Sequence, residues 1–473
     1  MFEVSTLYGA ATLAASLDAG QFGPRDAARR ILLVSNNSAV PEAATPLVSM
    51  NGFGGLAERF DETVDWNDAI RPHHPSTWAP PRDESPIWER MFRTLWSLGD
   101  APVELVVESV HANPAKALAT AFGGSVVHVY ADGLMSYGPT RDRLPQSLGC
   151  RVKRLLHLDL VPGLRPLLLT EHGVPSETVP DDAFTKVLGE LGEAAAGEPE
   201  LERVAADGPT AVLLGQYLAA LNILTPEEEE DLHVRMLEGA VAAGHACLVF
   251  KPHPTAPARY SHLLEKAAAQ AGVRLHVLEG PVLAEAVYAR CRPTLVVGCF
   301  STALLTAAAY YGIAIARVGT EPLLDRLTPY QNSNRVPVTI VDYAVPDLEG
   351  DADPASALAS ASAIGEKTGE LAALVRTVGY CMQAKLYPLL REEAVAWLSA
   401  HLDETTARYF KRRRLTALVL PGGGTSVRAR LLRSSPSARW AGRRVRAAQH
   451  RLRRDDGPAR AGGAVPMPPD AIP

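Results

Sequence analysis

The stretch SVVHVYADG, residues 125–133, decides how the first third of the chain is read. Ser125–Tyr130 is rich in valine and runs into Ala131-Asp132-Gly133. It reads as a buried strand that ends on a carboxylate and turns sharply on a glycine. Similar apolar runs precede it at Phe2–Leu7, Arg30–Ser35 (ending in Asn36-Asn37) and Val103–Glu108. Helical patterns at Ala10–Leu17, Ile87–Leu98 and Pro114–Ala121 lie between them. Residues 65–90, rich in Pro, His and Trp, read as a loop leading into the second of these helices. This βα rhythm predicts a parallel sheet with helices on both faces.

A second series starts after residue 205. Strands are expected at Thr210–Leu214, Ala246–Phe250, Arg274–Leu278, Thr294–Val297 and Ile313–Val318. Helices are expected at Glu227–Ala242, Ala258–Ala271, Leu283–Ala289 and Ala303–Tyr311, the first capped by Thr225 with Pro226 in its first turn. The expected architecture is α/β, with two Rossmann-like domains, residues 1–175 and 206–364, facing a cleft. An acidic, weakly apolar linker, 176–205, would join them. Helices over 365–420 would return to pack on the first domain. A basic tail, 421–473, would be disordered apart from a helix across Arg439–Arg453.

Composition fits this outline. The 473 residues are 47% hydrophobic and 21% charged, too long a chain for one small core. No run approaches the roughly 18 apolar residues of a membrane span, and the N-terminus lacks the basic start of a secretory signal. A cytoplasmic protein is expected, with peripheral attachment to the inner face of the membrane as the variant. Cys150, Cys247, Cys291, Cys299 and Cys381 are scattered and read as buried, reduced thiols. Charge is unevenly spread: from Arg408 onward there are 16 Lys and Arg against 3 Asp and Glu, although the whole chain carries −6. Such a tail suits an anionic membrane surface or a polyanionic glycan; specific nucleic-acid recognition is not expected.

Three motifs sit at expected strand ends. Asp132 would project into the cleft as a general base; the alternative is a plain Asp-Gly turn. In Lys251-Pro252-His253-Pro254, two prolines hold an imidazole where it can donate to a departing phosphate, with Lys251 adding charge. The alternative is a loop histidine between turn prolines. His73 and His74, also flanked by prolines, follow no buried strand and read as loop or acceptor-side residues. In Gly298-Cys299-Phe300-Ser301-Thr302, a hydroxyl would cap a helix whose N-terminal N–H groups attract an anion; simple capping is the alternative. No DxD motif stands at a strand end, which fits a metal-independent reaction, and no cofactor is expected.

In this order the motifs resemble the bacterial α-2,8-polysialyltransferase family, which carries an acidic-acidic-Gly motif, a His-Pro motif and a Ser/Thr pair. The run from Val212 through Gly215 and Gln216 to Tyr217 is similar to the family's entry into its second domain. The resemblance spans about residues 1–340. It implies a GT-B-type fold and inverting, metal-independent transfer of sialic acid from CMP-sialic acid to a glycan. Asp132 would then be the base and His253 the leaving-group partner. Gly215, Gln216, Lys251, Ser301 and Thr302 would bind the donor, and Glu285 its ribose, unless Glu285 is a solvated helix residue. The first acidic position is filled by Ala131. Two other readings stand beside this one: a teichoic-acid-type polymerase using a CDP-linked polyol phosphate, and a non-catalytic nucleotide- or glycan-binding protein.

Overall fold

The computed structural model describes residues 1–208, 210–253, 259–350 and 359–424. Pro254 and nearly all of the basic tail with its expected helix, residues 425–473, lie outside the described residues. The chain divides into a unit of residues 1–411 and a C-terminal unit beginning at Arg412. The described part of the C-terminal unit carries the helix Arg412–Leu418.

The first unit holds two parallel sheets. The first comprises β1 (Phe2–Val4), β2 (Ile31–Val34), β3 (Glu62–Asp65), β4 (Glu104–Val107), β5 (Val126–Ala131), β6 (Val152–His157) and β7 (Ser176–Thr178), in the order β3-β2-β1-β4-β5-β6-β7. The second comprises β8 (Ala211–Leu214), β9 (Cys247–Lys251), β10 (Arg274–Val277), β11 (Leu295–Gly298) and β12 (Ala314–Arg317), in the order β10-β9-β8-β11-β12. The α/β, two-sheet architecture expected from the sequence is therefore present. The central strands are buried throughout, as in Ile31–Val34 and Ala211–Leu214. Strands covered by helices on both faces must be apolar at every position, so they read as continuous hydrophobic runs.

Strand order reverses between β1 and β4 in one sheet and between β8 and β11 in the other. At such points the crossovers leave in opposite directions and open a crevice at the carboxyl ends of the strands. The motif residues lie at those ends.

Three segments differ from the sequence reading. Residues 65–90 are not a simple loop: β3 pairs with β2 through Ile31 opposite Glu62, and Trp66–Ile70 is helical. Trp66 and Phe92 are fully buried, and Phe92 stacks on Trp96 at 4.8 Å. The polar edge strand Glu62–Asp65 has no apolar run to betray it; backbone pairing to β2 creates it. β6 and β7 were likewise unmarked. The acidic stretch 176–205 contains β7 and the helices Asp181–Ala194 and Pro199–Ala206. Phe184, Val187, Leu188 and Leu191, at helical spacing, are buried beneath its charged surface.

The helix Pro226–Ala242 begins with a full capping box between Thr225 and Glu228. The helices Thr368–Gln383 and Arg391–His401 bring the chain back to the first sheet's loops. There the buried Tyr387 hydroxyl accepts from the Thr140 N–H at 2.9 Å and lies 2.7 Å from Glu171 Oε2. Cys150 is exposed, unlike the other four thiols, because it lies beyond the short helix Gln146–Gly149 rather than in a strand.

Candidate active site

Asp132 follows β5 directly and is half-buried. Its Oδ2 lies 3.4 Å from the point where a side chain at position 9 would begin, and the Tyr130 hydroxyl lies 3.1 Å from it. Gly9, in the first turn of the helix Leu7–Asp18, thus leaves the space that both groups use. That helix is capped by Thr6, whose hydroxyl accepts from the Gly9 N–H at 2.9 Å. Tyr130 donates to the Glu3 carbonyl at 3.0 Å. Glu3 Oε2 accepts from the Glu108 N–H at 3.0 Å, and Ser5 donates to Glu108 Oε2 at 2.6 Å.

Several carboxylates therefore share one poorly hydrated region. Burial, and then the negative charge of Glu108, push the Asp132 carboxyl up to about 7. Burial and Glu108 raise Glu3 further, and burial raises Glu108 itself against the opposing hydrogen bond from Ser5. A carboxylate poised near neutrality suits a group that must take a proton and later release it.

Gly133 is extended, with φ −131° and ψ 176°. A Cβ there would stand 3.1 Å from Thr302 Oγ1. The Asp-Gly turn of the first sheet therefore meets the first residue of the helix Thr302–Tyr311, which follows β11. Ser301 occupies that helix's cap position, yet its side chain makes no capping hydrogen bond. The helix start keeps its partial positive charge, with two hydroxyl side chains beside it, an arrangement suited to an anion.

His253 follows β9 and stacks on Tyr217 with ring centroids 3.9 Å apart and planes 27° apart. Burial, then the charge of Lys251, lowers its pKa to about 4. The imidazole is neutral at neutral pH and can offer one N–H. Lys251 is buried and turns away to donate to the carbonyls of Leu278 (3.1 Å) and Gly280 (3.0 Å). Burial lowers its pKa to about 8.

Gly215 allows close approach: a Cβ would stand 2.8 Å from Pro252 Cα and 3.1 Å from the His253 nitrogen. The buried Gln216 donates its N–H to His233 Nε2 at 3.1 Å. Glu285 is only 3% exposed, so it is not a solvated helix residue. Burial raises it to about 7, opposed by a hydrogen bond with Thr306. Thr306 Oγ1 also lies 3.0 Å from the Tyr8 hydroxyl of the first-sheet helix Leu7–Asp18.

The structure thus brings Gly133, next to Asp132, against Thr302 across the two sheets, and gathers Gly215, Lys251 and His253 around one strand end. Glu285 sits in the packing between the helices carrying Tyr8 and Thr306. Sequence reasoning named Tyr217 only as the end of the run entering the second domain, and it overlooked Glu229 and His233. Glu229 accepts from the N–H groups of Leu218 (2.7 Å) and Ala219 (2.8 Å), so it fixes the loop that presents Tyr217. Glu229 and His233 stand four residues apart on one helix, a polar pair on an otherwise core-facing side, and that spacing was the available signal.

With this geometry in place, comparison with known proteins is decisive at the level of family. The model of the alpha-2,8-polysialyltransferase (POLYST) family matches residues 1–318. The chain belongs to that family. As a polysialyltransferase-family member it is a glycosyltransferase. A search of curated proteins finds no match. Among solved structures, the GT-B domain of a sialyltransferase from Photobacterium damselae is similar at 13% identity and a TM-score of 0.39, covering 71% of this chain and 95% of that one. A glycosyltransferase from Rickettsia africae ESF-5 is similar at 8% identity and a TM-score of 0.38, covering 87% and 98% respectively.

In this family member, the described residues contain one group with metal-ligand chemistry, Asp207, Cys247 and His276. It lies at the amino-terminal end of the second sheet, opposite the motifs, and Asp207 is already engaged by Arg274 and His276 at 2.6 Å each. Among the described residues no helix is long and apolar enough to cross a membrane.

Proposed function

We propose that this glycosyltransferase moves sialic acid, or a related acidic sugar, from a CMP-activated donor to a glycan acceptor, with inversion and without a metal ion. On this reading the first sheet, through β7, forms the acceptor-side domain of a GT-B enzyme and the second sheet the donor-side domain. The observation that carries it is the meeting of Asp132-Gly133 with Thr302. It sets a carboxylate of raised proton affinity beside a helix start suited to a phosphate.

The chemistry follows from those groups. Asp132 takes the proton of the acceptor hydroxyl. The oxygen's electron pair forms the bond to the anomeric carbon as that carbon's bond to the phosphate oxygen breaks. The departing pair leaves on CMP. Ser301, Thr302 and the start of their helix stabilise the phosphate, and the neutral His253 donates a hydrogen bond to it. Attack and departure on opposite faces invert the anomeric centre.

The test is a donor screen by released nucleotide with an oligosialic acid acceptor. CMP release from CMP-sialic acid, abolished in Asp132→Asn and reduced at least about 100-fold in His253→Ala, is the expected result. Turnover of CDP-glycerol instead would assign the polyol-phosphate reading. Tight CMP binding without turnover of any donor would assign the non-catalytic one.

A further inference from the structure

One acid, Asp132, precedes Gly133 at the end of β5, and Ala131 stands before it where the resemblance implied a second acid. Ala131 closes β5 opposite His157 of β6, and its side chain packs against the hydrophobic core of the first sheet. A second acid is present nonetheless, from a different strand. β4 pairs with β5 through Val107 opposite Val129, so Glu108, leaving β4, is level with Tyr130, and Asp132 follows two residues further on, directly after β5, on the same face of the sheet. Glu108 is anchored there twice. Its N–H is held by Glu3 Oε2 at 3.0 Å, and its Oε2 by the Ser5 hydroxyl at 2.6 Å. β4 is one of the two strands at the reversal of the sheet, where a crevice for ligands is expected.

We propose that Glu108 supplies, from the neighbouring strand, the second negative charge that position 131 lacks, acting on the acceptor proton through Asp132. It is a positioning residue for that proton and need not touch substrate. Burial raises the proton affinity of Glu108, and the Ser5 hydroxyl, by donating to it, favours the charged form. The groups facing this pair are Glu3 from β1, Tyr8 from the helix Leu7–Asp18, Tyr130 from β5 and Glu285 from the helix Ala284–Cys291. The charges that act on Asp132 are Glu108 and then, among the facing groups, Glu285. A negative neighbour disfavours a second ionised carboxylate, so Asp132 binds its proton more tightly while Glu108 is charged.

This proposal rests on the reading of Asp132 as the base, and its test separates the two. Infrared difference titration of the full chain identifies the Asp132 carboxyl as the signal missing from Asp132→Asn. Its midpoint is then measured in Glu108→Gln and in Ser5→Ala, with folding checked by circular dichroism. The expected result is a midpoint lower by about one pH unit in Glu108→Gln, with a smaller shift the same way in Ser5→Ala. In CMP release from CMP-sialic acid, the acid limb of kcat/KM should fall by the same unit. Turnover at pH 8 should drop about threefold, and Glu108→Asp should restore both. A midpoint that does not fall in either variant overturns the proposal, whatever the turnover. A lowered midpoint in an enzyme inert towards CMP-sialic acid sustains the proposal and refutes the donor assignment.

Discussion

Gly133→Ala isolates the contact on which the proposed site depends. At φ −131° and ψ 176° the backbone accepts any residue, so alanine brings no strain. By restricting the unfolded chain it should leave stability unchanged or raise it by up to about 1 kcal/mol. Its methyl, however, would stand 3.1 Å from Thr302 Oγ1, and one of the two must yield by a few tenths of an ångström. If a misplacement of about 1 Å costs about 100-fold in rate, a few tenths cost roughly three- to tenfold, or about 1 kcal/mol. The signature is therefore opposite in sign: unchanged or higher Tm by differential scanning fluorimetry, lower kcat by nucleotide release. A cycle with Thr302→Ala gives the decisive measurement. Once Oγ1 is gone, Gly133→Ala should cost nothing further, so the coupling should equal the single-mutant loss. Wild-type kcat in Gly133→Ala, or a loss that persists undiminished in the Thr302→Ala background, would refute the idea that the two motifs form one site.

Other substitutions probe the supports of the site. Gly215→Ala should drive its methyl into Pro252 Cα at 2.8 Å, displace His253, and lower both Tm and turnover, with a stability cost of about 1–3 kcal/mol by urea titration. Tyr387→Phe should cost about 2 kcal/mol of stability, because the buried Thr140 N–H, now 2.9 Å from the hydroxyl, loses its acceptor. Glu285→Gln should be pH-dependent. Burial raises the Glu285 pKa from 4.5 to about 7, so the folded state holds a proton that the unfolded state gives up between those values. Stability associated with this group is complete below pH 4.5 and is lost as pH rises through 7. Glu285→Gln should thus match wild type near pH 4 and exceed it by about 3 kcal/mol at pH 8 in urea unfolding. His253 titrates near 4, so the acid limb of turnover between pH 5 and 8 should survive in His253→Asn.

The legible part of this protein was what packing writes into local sequence. A strand covered on both faces must be apolar at each position, so Ile31–Val34 and Ala211–Leu214 announce themselves. Thr225-Pro226 marks a helix start because cap chemistry is local. The elements that escaped are those whose cause lies elsewhere in the chain. Glu62–Asp65 is a strand because β2 pairs with it, and Asp181–Ala194 looked like a linker because its charged face outweighed four buried apolar residues. Site residues divide in the same way. Asp132, His253 and Thr302 could be singled out as candidates because each follows a readable strand or opens a readable helix. Lys251 was noticed for its place beside His253, but its direction, towards Leu278 and Gly280, depends on a loop that no local pattern specifies.

Ala131 shows most clearly what a contiguous motif omits. Along the chain it reads as a missing acid. Across the sheet, Glu108 stands at the neighbouring strand end, 24 positions earlier than Asp132 in the numbering but level with Tyr130, two residues from Asp132 on the same face. A Coulombic field depends on distance and desolvation, not on sequence neighbours, so a parallel sheet can supply a second charge from any strand that ends at the same level. The requirement the chemistry imposes is then a count of carboxylates at one sheet edge rather than a dipeptide. Substituting Ala131 by Asp provides a direct check on that argument. If the edge already holds its second charge, a third should raise the proton affinity of Asp132 further and move the acid limb of turnover to higher pH, without raising kcat more than about twofold. A gain in kcat well beyond that would mean that the edge was short of an acid after all, and that Glu108 does not replace it.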